Sequence, residues 1–173
     1  MTSNYERLFA ERPDVYEAWA QLNGAIKAGM DLRRYELATL AAARRLRSSY
    51  CCLAHGTVLM ERFGEPVREI ALDHRGAGLD EIDVAVMDFA ERVVDDAASI
   101  GEDDLQRLRD LGLSDTDILD VALAAAGRCF FSKTLDALGA AERRLDREEH
   151  PDDRGDCRRG PGEESRGRRR RHA

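Results

Sequence analysis

Residues 31–63 read DLRRYELATLAAARRLRSSYCCLAHGTVLMERF and contain two predicted helices. Asp31 can cap the first helix, which runs through regularly spaced apolar residues to Leu46. The second helix is predicted from Tyr50 to Phe63, and Gly64 stops it. Apolar residues in both segments recur at spacings of three and four, which is typical of amphipathic helices. The stretch therefore predicts two consecutive helices joined by a short turn.

The same helical periodicity continues on both sides of this stretch. Further helices are predicted from Pro13 through Leu22, after Pro66, after Asp80, after Ser99 as far as Gly112, and from Ile118 to Leu138 with Ser114 as the cap. No segment alternates with a period of two for long enough to indicate a strand. The last helix carries small residues around its circumference, which is typical of a central core helix or of a subunit interface. The sequence predicts an all-α domain of about six to eight helices.

Length and charge narrow the classes of function. The chain has 173 residues, 43% of them hydrophobic, and a net charge of -7, which favours one soluble domain and disfavours nucleic acid as the main partner. No apolar run reaches the roughly 18 residues of a membrane span, so we expect no membrane association. No secretory signal is visible, and the four cysteines are expected to be reduced thiols. A cytoplasmic location follows as an expectation.

The composition changes sharply near Arg147. Residues 147–173 include nine Arg and seven acidic residues but only two that count as hydrophobic, Cys157 and Ala173. Such a segment cannot bury enough apolar surface to offset its ordering entropy. We therefore predict a folded domain over residues 1–146 and a disordered Arg-rich tail over residues 147–173.

Candidate chemistry is concentrated at Cys51 and His55. These residues are four apart, so on a helix they share one face, with Cβ atoms about 5–6 Å apart. The imidazole there can take the thiol proton. If Ser48 caps the helix, Cys51 lies in the first turn, where unpaired amides and the helix dipole favour a thiolate. Taken alone, the spacing favours a cysteine that only packs in the core, and the alternative is an activated nucleophile.

Glu36, Ser48, Cys51 and His55 also follow a wider pattern, Glu, eleven residues, then Cys-x-x-Cys-x-x-x-His, with Ser48 in place of the first cysteine. In this pattern, and in the later stretch AAGRCFFSKTLDALG over residues 125–139, the chain resembles the alkylhydroperoxidase D-like, carboxymuconolactone decarboxylase superfamily. The resemblance covers roughly residues 5–142. It implies an alkylhydroperoxidase D-like helical fold, a homo-oligomer and a thiol-dependent, peroxiredoxin-type peroxidase activity.

The resemblance also implies a role for each site residue. Cys51 would attack a small-molecule peroxide, His55 would act as its base, and Glu36 would orient or recharge that base. Ser48 can hydrogen-bond a thiolate but cannot form a disulfide, so we expect a one-cysteine cycle with an external thiol or dithiol as reductant. No cofactor and no metal are expected.

Two other functions stay open at this point. In a carboxymuconolactone decarboxylase-type enzyme, His55 and Glu36 would handle protons and Cys51 would be incidental; Arg33 and Arg34 are the nearest candidates for binding an anionic lactone. Alternatively, the chain is a non-catalytic helical oligomer that has lost activity with its first motif cysteine.

Several remaining residues receive structural interpretations. Cys52 is expected to pack in the core, Cys129 to be buried in the last helix, and His74 to lie at the surface. Asp115, Asp117 and Asp120 are expected to complement the dipole at the start of the last helix rather than to bind a metal.

The distance between Glu36 and His55 is an open question at this stage. In a simple hairpin turning near Ser48, Glu36 lies about 18 Å from the turn and His55 about 10 Å. The two helices must therefore be offset or crossed if the two side chains are to meet.

Overall fold

The structure, a computed structural model, describes residues 4–139, so the predicted tail over residues 147–173 and the domain boundary at residue 146 lie outside the described residues. Residues 4–139 form eight α-helices and no strand: α1 Asn4–Leu8, α2 Pro13–Gly29, α3 Leu32–Arg45, α4 Ser49–Phe63, α5 Val67–Asp73, α6 Glu81–Asp96, α7 Glu102–Asp110 and α8 Asp115–Ala137. The predicted all-α class is confirmed. No helix in this range has the length and apolar character needed to cross a membrane.

Helix ends follow the local signals in most places. The Asp31 carboxylate accepts a hydrogen bond from the Arg34 N–H at 3.0 Å, and the Ser114 hydroxyl accepts one from the Asp117 N–H at 3.1 Å. Both predicted caps are therefore confirmed. Gly64 ends α4 in the left-handed region, with φ of 70°.

The predicted cap at Ser99 is wrong. Ser99 lies in a short 3-10 turn, where its hydroxyl donates to the Asp96 carbonyl at 2.8 Å, and α7 begins later, after Gly101. The Asp104 carboxylate accepts the Gly101 N–H at 2.9 Å, which satisfies the N-terminus of α7 without a hydroxyl cap.

Helix α3, and not α8, lies at the centre of the domain. It packs against α4, α6 and α8, and every residue from Tyr35 to Ala43 is buried. Four alanines in this run let the neighbouring helices approach closely on all sides. Helix α8 packs against α2, α3 and α6, and it turns one apolar face outward that includes Leu119, Leu123 and Phe130.

A tight turn joins α3 to α4. Arg47 adopts the left-handed region with φ of 57°, and the Ser48 N–H donates back to the Ala43 carbonyl at 3.0 Å. The chain therefore reverses within a few residues, and α4 packs against α3. This turn positions the first turns of α4 beside the buried centre of α3.

Candidate active site

Glu36 and His55 meet in the interior. The His55 Nδ1 atom lies 2.6 Å from Glu36 Oε2, although the two residues are nineteen apart in sequence. The side chain of Glu36 is 1% exposed. The second carboxylate oxygen, Oε1, accepts a hydrogen bond from Lys27 Nζ at 2.9 Å, and the Lys27 side chain is 42% exposed. The Glu36 carboxylate thus joins a half-exposed ammonium to a buried imidazole.

The surroundings favour an ionised Glu36 beside a neutral His55. Burial opposes the carboxylate charge, but the hydrogen bonds and charges of His55 and Lys27 outweigh this effect and lower the pKa of Glu36. The pKa of His55 is also lowered, first by burial and then by the charge of Arg128, against the opposing effect of Glu36. At neutral pH the pair therefore consists of a carboxylate and a neutral imidazole.

The thiol of Cys51 lies next to two polar side chains of α8. Cys51 is the third residue of α4 and is 1% exposed. The Ser132 hydroxyl donates to Cys51 Sγ at 3.0 Å, and Arg128 Nη1 lies 3.9 Å from the same sulfur. A thiolate at this position would face one neutral hydroxyl donor and one positive charge.

Arg128 links the thiol to the histidine. The same Nη1 atom lies 3.1 Å from His55 Nε2. Because a guanidinium only donates, His55 Nε2 must accept, and the imidazole proton must be on Nδ1, where it is donated to Glu36. No hydrogen bond joins Cys51 directly to His55 within residues 4–139. Arg128 instead contacts both residues, so the structure has no direct hydrogen bond for the expected proton transfer from Cys51 to His55.

Ser48 occupies the N-cap position of α4, but the predicted capping bond is absent. Its ψ angle is 95°, whereas the capping residues Asp80 and Ser114 have ψ angles of 167° and 164°. The Ser48 hydroxyl is buried and has no hydrogen-bond partner among the described residues. The Nε atom of Arg128 also has no hydrogen-bond partner among the described residues.

Two expectations for other residues are wrong. His74 is 4% exposed, not at the surface, because Arg44 at 3.0 Å and Asp88 at 2.8 Å satisfy its two ring nitrogens. Cys129 is only half-buried, because its position on α8 is close to the outward face, and partial burial raises the pKa of its thiol. Cys52 is buried in the hydrophobic core, as expected of a packing residue.

The arginines proposed as anion binders are held by carboxylates. Arg33 forms ion pairs with Glu65 and Asp83, and Arg34 pairs with Asp117 at 3.0 Å. Neither guanidinium contacts the Cys51 site in the described part of the chain. Asp117 also accepts from the Ser114 N–H, as expected of a residue at a helix N-terminus.

Arg128 and Ser132 were missed by the sequence analysis. Both belong to the stretch AAGRCFFSK, and their spacing of four places them on the same face of α8. A buried arginine and a buried serine on an otherwise apolar helix face were the signal that could have identified them.

Comparison with known proteins supports the assignment of the fold. Residues 13–91 match the Carboxymuconolactone decarboxylase family, a span that contains the Glu36, Cys51 and His55 positions but ends before α8. No curated protein sequence matches the chain.

Two solved structures are similar to it. An uncharacterized peroxidase-related protein from Ralstonia eutropha JMP134, described as an alkylhydroperoxidase AhpD core, is 24% identical with a TM-score of 0.73, over 78% of this chain and 73% of that one. An uncharacterized peroxidase-related protein from Silicibacter sp. TM1040 is 23% identical with a TM-score of 0.70, over 76% of this chain and 71% of that one. The chain is therefore similar to the Carboxymuconolactone decarboxylase family over residues 13–91, and it shares the helical fold of these two structures.

Proposed function

We propose that the chain is a thiol-dependent peroxidase and that Cys51 is the nucleophile that reduces a small-molecule peroxide. The observation that carries the proposal is the position of Cys51 Sγ, which contacts the Ser132 hydroxyl and the Arg128 guanidinium inside the domain. Both groups stabilise negative charge on sulfur, and the thiolate is the nucleophilic form of cysteine. The peroxidase-related neighbours are consistent with this chemistry.

The reaction balances without a bound cofactor. The Cys51 thiolate attacks one peroxide oxygen, the S–O bond forms, and the O–O bond breaks to give a sulfenic acid and an alkoxide, which takes a proton to become the alcohol. Sulfur loses two electrons and the peroxide gains them. An external thiol then condenses with the sulfenic acid and releases water, and a second thiol restores Cys51 and leaves as a disulfide.

The absence of a cysteine at position 48 determines the reducing half of this cycle. Ser48 cannot form a disulfide with Cys51, so reduction of the sulfenic acid requires a thiol from another molecule.

Trapping the sulfenic acid tests the proposal on the unmodified protein. After one equivalent of an organic hydroperoxide, we expect a sulfenic-acid-specific nucleophile to label Cys51 in most molecules and to label Cys52 and Cys129 in few, as read by peptide mass spectrometry. Added thiol before the trap should remove the label. Equal labelling of the three cysteines, or labelling of Cys129 alone, would contradict a dedicated site at Cys51.

The decarboxylase alternative is less well supported. Its substrate is an anionic lactone, and the candidate residues Arg33 and Arg34 are paired with carboxylates. The non-catalytic alternative offers no account of a buried thiol, guanidinium and carboxylate joined in one hydrogen-bonded network.

We also propose that the chain forms a homo-oligomer through the outward face of α8. Leu119, Leu123 and Phe130 are exposed there at helical spacing, and Leu22 of α2, which packs on α8, is exposed as well. An apolar stripe of this kind is typical of an interface between copies, and in a symmetric dimer it would pair with itself.

Charge on this face should dissociate the assembly. We expect a Leu119→Lys/Leu123→Lys double variant to elute as a monomer by light scattering, because two buried lysines without partners disfavour association. The matched control is Leu72→Lys, which places the same charge on an exposed leucine of α5 and should leave the mass unchanged. A monomeric parent protein, or a double variant of unchanged mass, would refute the interface.

A further inference from the structure

Arg128 is a buried cation that contacts no carboxylate among the described residues. The residue is 6% exposed and lies on the inward face of α8. Its guanidinium carbon lies 5.6 Å from the Trp19 ring centroid and 5.3 Å from that of Phe131. Its Nη2 donates to Asn23 Oδ1 at 3.3 Å, and that oxygen also accepts from the Tyr35 hydroxyl.

No ion pair within residues 4–139 includes Arg128. Its polar contacts are the neutral Nε2 of His55, the amide oxygen of Asn23, and the sulfur of Cys51. A buried guanidinium without a counter-charge is costly, since taking a charge out of water is repaid only by a partner of opposite sign. Of these contacts, Cys51 alone can supply a negative charge.

We propose that Arg128 is a catalytic residue of the peroxidase site, the fixed counter-charge that holds Cys51 as a thiolate, with Ser132 as the neutral second donor. The contacts of Arg128 identify it as the partner of a Cys51 thiolate. The catalytic role of Arg128 rests on the proposed peroxidase function. Neither Arg128 nor Ser132 lies in the span that matches the family.

This assignment changes the role of His55. Because Nε2 already accepts from Arg128, and Nδ1 donates to Glu36, both ring nitrogens are occupied. His55 then acts as a positioning residue: together with Glu36 it holds Nη1 of Arg128 beside the sulfur. The thiol proton is released to solvent when the thiolate forms, and the alkoxide regains one proton from solvent after the O–O bond breaks.

The charge on Cys51 can be measured directly by its ultraviolet absorbance, because a thiolate absorbs where a thiol does not. The difference spectrum between the parent protein and Cys51→Ser at pH 7 reports the thiolate without peroxide and without access of a reagent to the buried sulfur. We expect a clear thiolate band in the parent, loss of most of that band in Arg128→Met, and partial retention in Arg128→Lys.

Sulfenic acid formation supplies the second readout. Arg128→Met should slow the oxidation of Cys51 by an organic hydroperoxide by about 100-fold, the usual effect of removing one donor that stabilises a reacting anion. Arg62→Met is the matched control, since Arg62 is an exposed arginine of α4, and it should match the parent in both readouts. Urea unfolding of each variant verifies that the comparison is made on folded protein.

The possible outcomes separate this inference from the proposed function. A thiolate band that persists unchanged in Arg128→Met overturns the role of Arg128. A parent protein without the band also overturns it, and this measurement does not depend on whether the variant folds. A parent that shows the band and loses it in Arg128→Met, yet does not react with hydroperoxides, supports the thiolate pairing and overturns the peroxidase function. A parent that shows both the band and the reactivity, and loses both in Arg128→Met, supports the role of Arg128 and the peroxidase function.

Discussion

Replacing Cys51 by serine should abolish the thiol-dependent consumption of organic hydroperoxides, to the level of buffer without protein. A serine hydroxyl in the same place is a far weaker nucleophile, and it cannot be oxidised to a species that an external thiol reduces. The side chains differ by one atom, so the packing around position 51 is nearly preserved. The measurement is peroxide loss under excess thiol.

The two other described cysteines provide matched controls. Cys52→Ser and Cys129→Ser make the same chemical change on the neighbouring residue and on α8, and both should retain the activity of the parent protein. Equal activity in Cys51→Ser and Cys52→Ser would rule out the proposed mechanism. Turnover of a carboxymuconolactone by Cys51→Ser would instead favour the decarboxylase alternative.

Replacing Glu36 by alanine should lower the free energy of unfolding by about 2–4 kcal/mol at pH 7. The substitution leaves the Nδ1–H of His55 buried without its acceptor and creates a cavity in the buried run of α3. Activity should fall as well, since His55 would no longer be held against Arg128. Urea unfolding monitored by circular dichroism gives the stability.

Acidic pH should reduce the difference in free energy of unfolding between the parent protein and Glu36→Ala. The pKa of Glu36 is lowered in the folded state, so its contribution is fully present above the unfolded value of about 4.3 and is lost as the pH falls through the lower folded value. Glu61→Ala, on the exposed part of α4, is the control and should change stability by less than about 0.5 kcal/mol. A loss in Glu36→Ala no larger than that of the control would contradict a buried, hydrogen-bonded carboxylate.

The part of the site that could be predicted from the sequence is the part encoded locally. Cys51 and His55 are one helical turn apart, and Glu36 belongs to the preceding helix, so a short pattern contains all three. That pattern could not determine whether Glu36 reaches His55. Whether the two side chains meet depends on how α3 and α4 pack. In the structure His55 Nδ1 lies 2.6 Å from Glu36 Oε2, so the packing of the two helices brings them together.

Arg128 and Ser132 could not be predicted in the same way. They contact Cys51 across 77 and 81 residues of sequence, and only the docking of α8 against the centre of the domain brings them there. His74 illustrates the same limit, because its burial depends on Arg44 and Asp88, which come from other helices.

The central position of α3 was also not encoded locally. Both α3 and α8 contain runs of alanine, and the small residues of α8 are typical of either a core helix or a subunit interface. What separates them is the outward apolar face of α8, and a face can be assigned to the core or to the surface only when its neighbours are known.

Aromatic rings from the N-terminal segment close over this region of the domain. Tyr5 of α1 packs against Tyr50, the residue before Cys51, and against Phe131, which flanks Arg128; Phe9 stacks on the same Phe131 ring. With Cys51 1% exposed, a peroxide can reach the sulfur only when side chains move aside. The protein's own opening rate then sets a ceiling on the reaction, and oxidation of Cys51 should reach a plateau at high hydroperoxide concentration instead of rising in proportion to it.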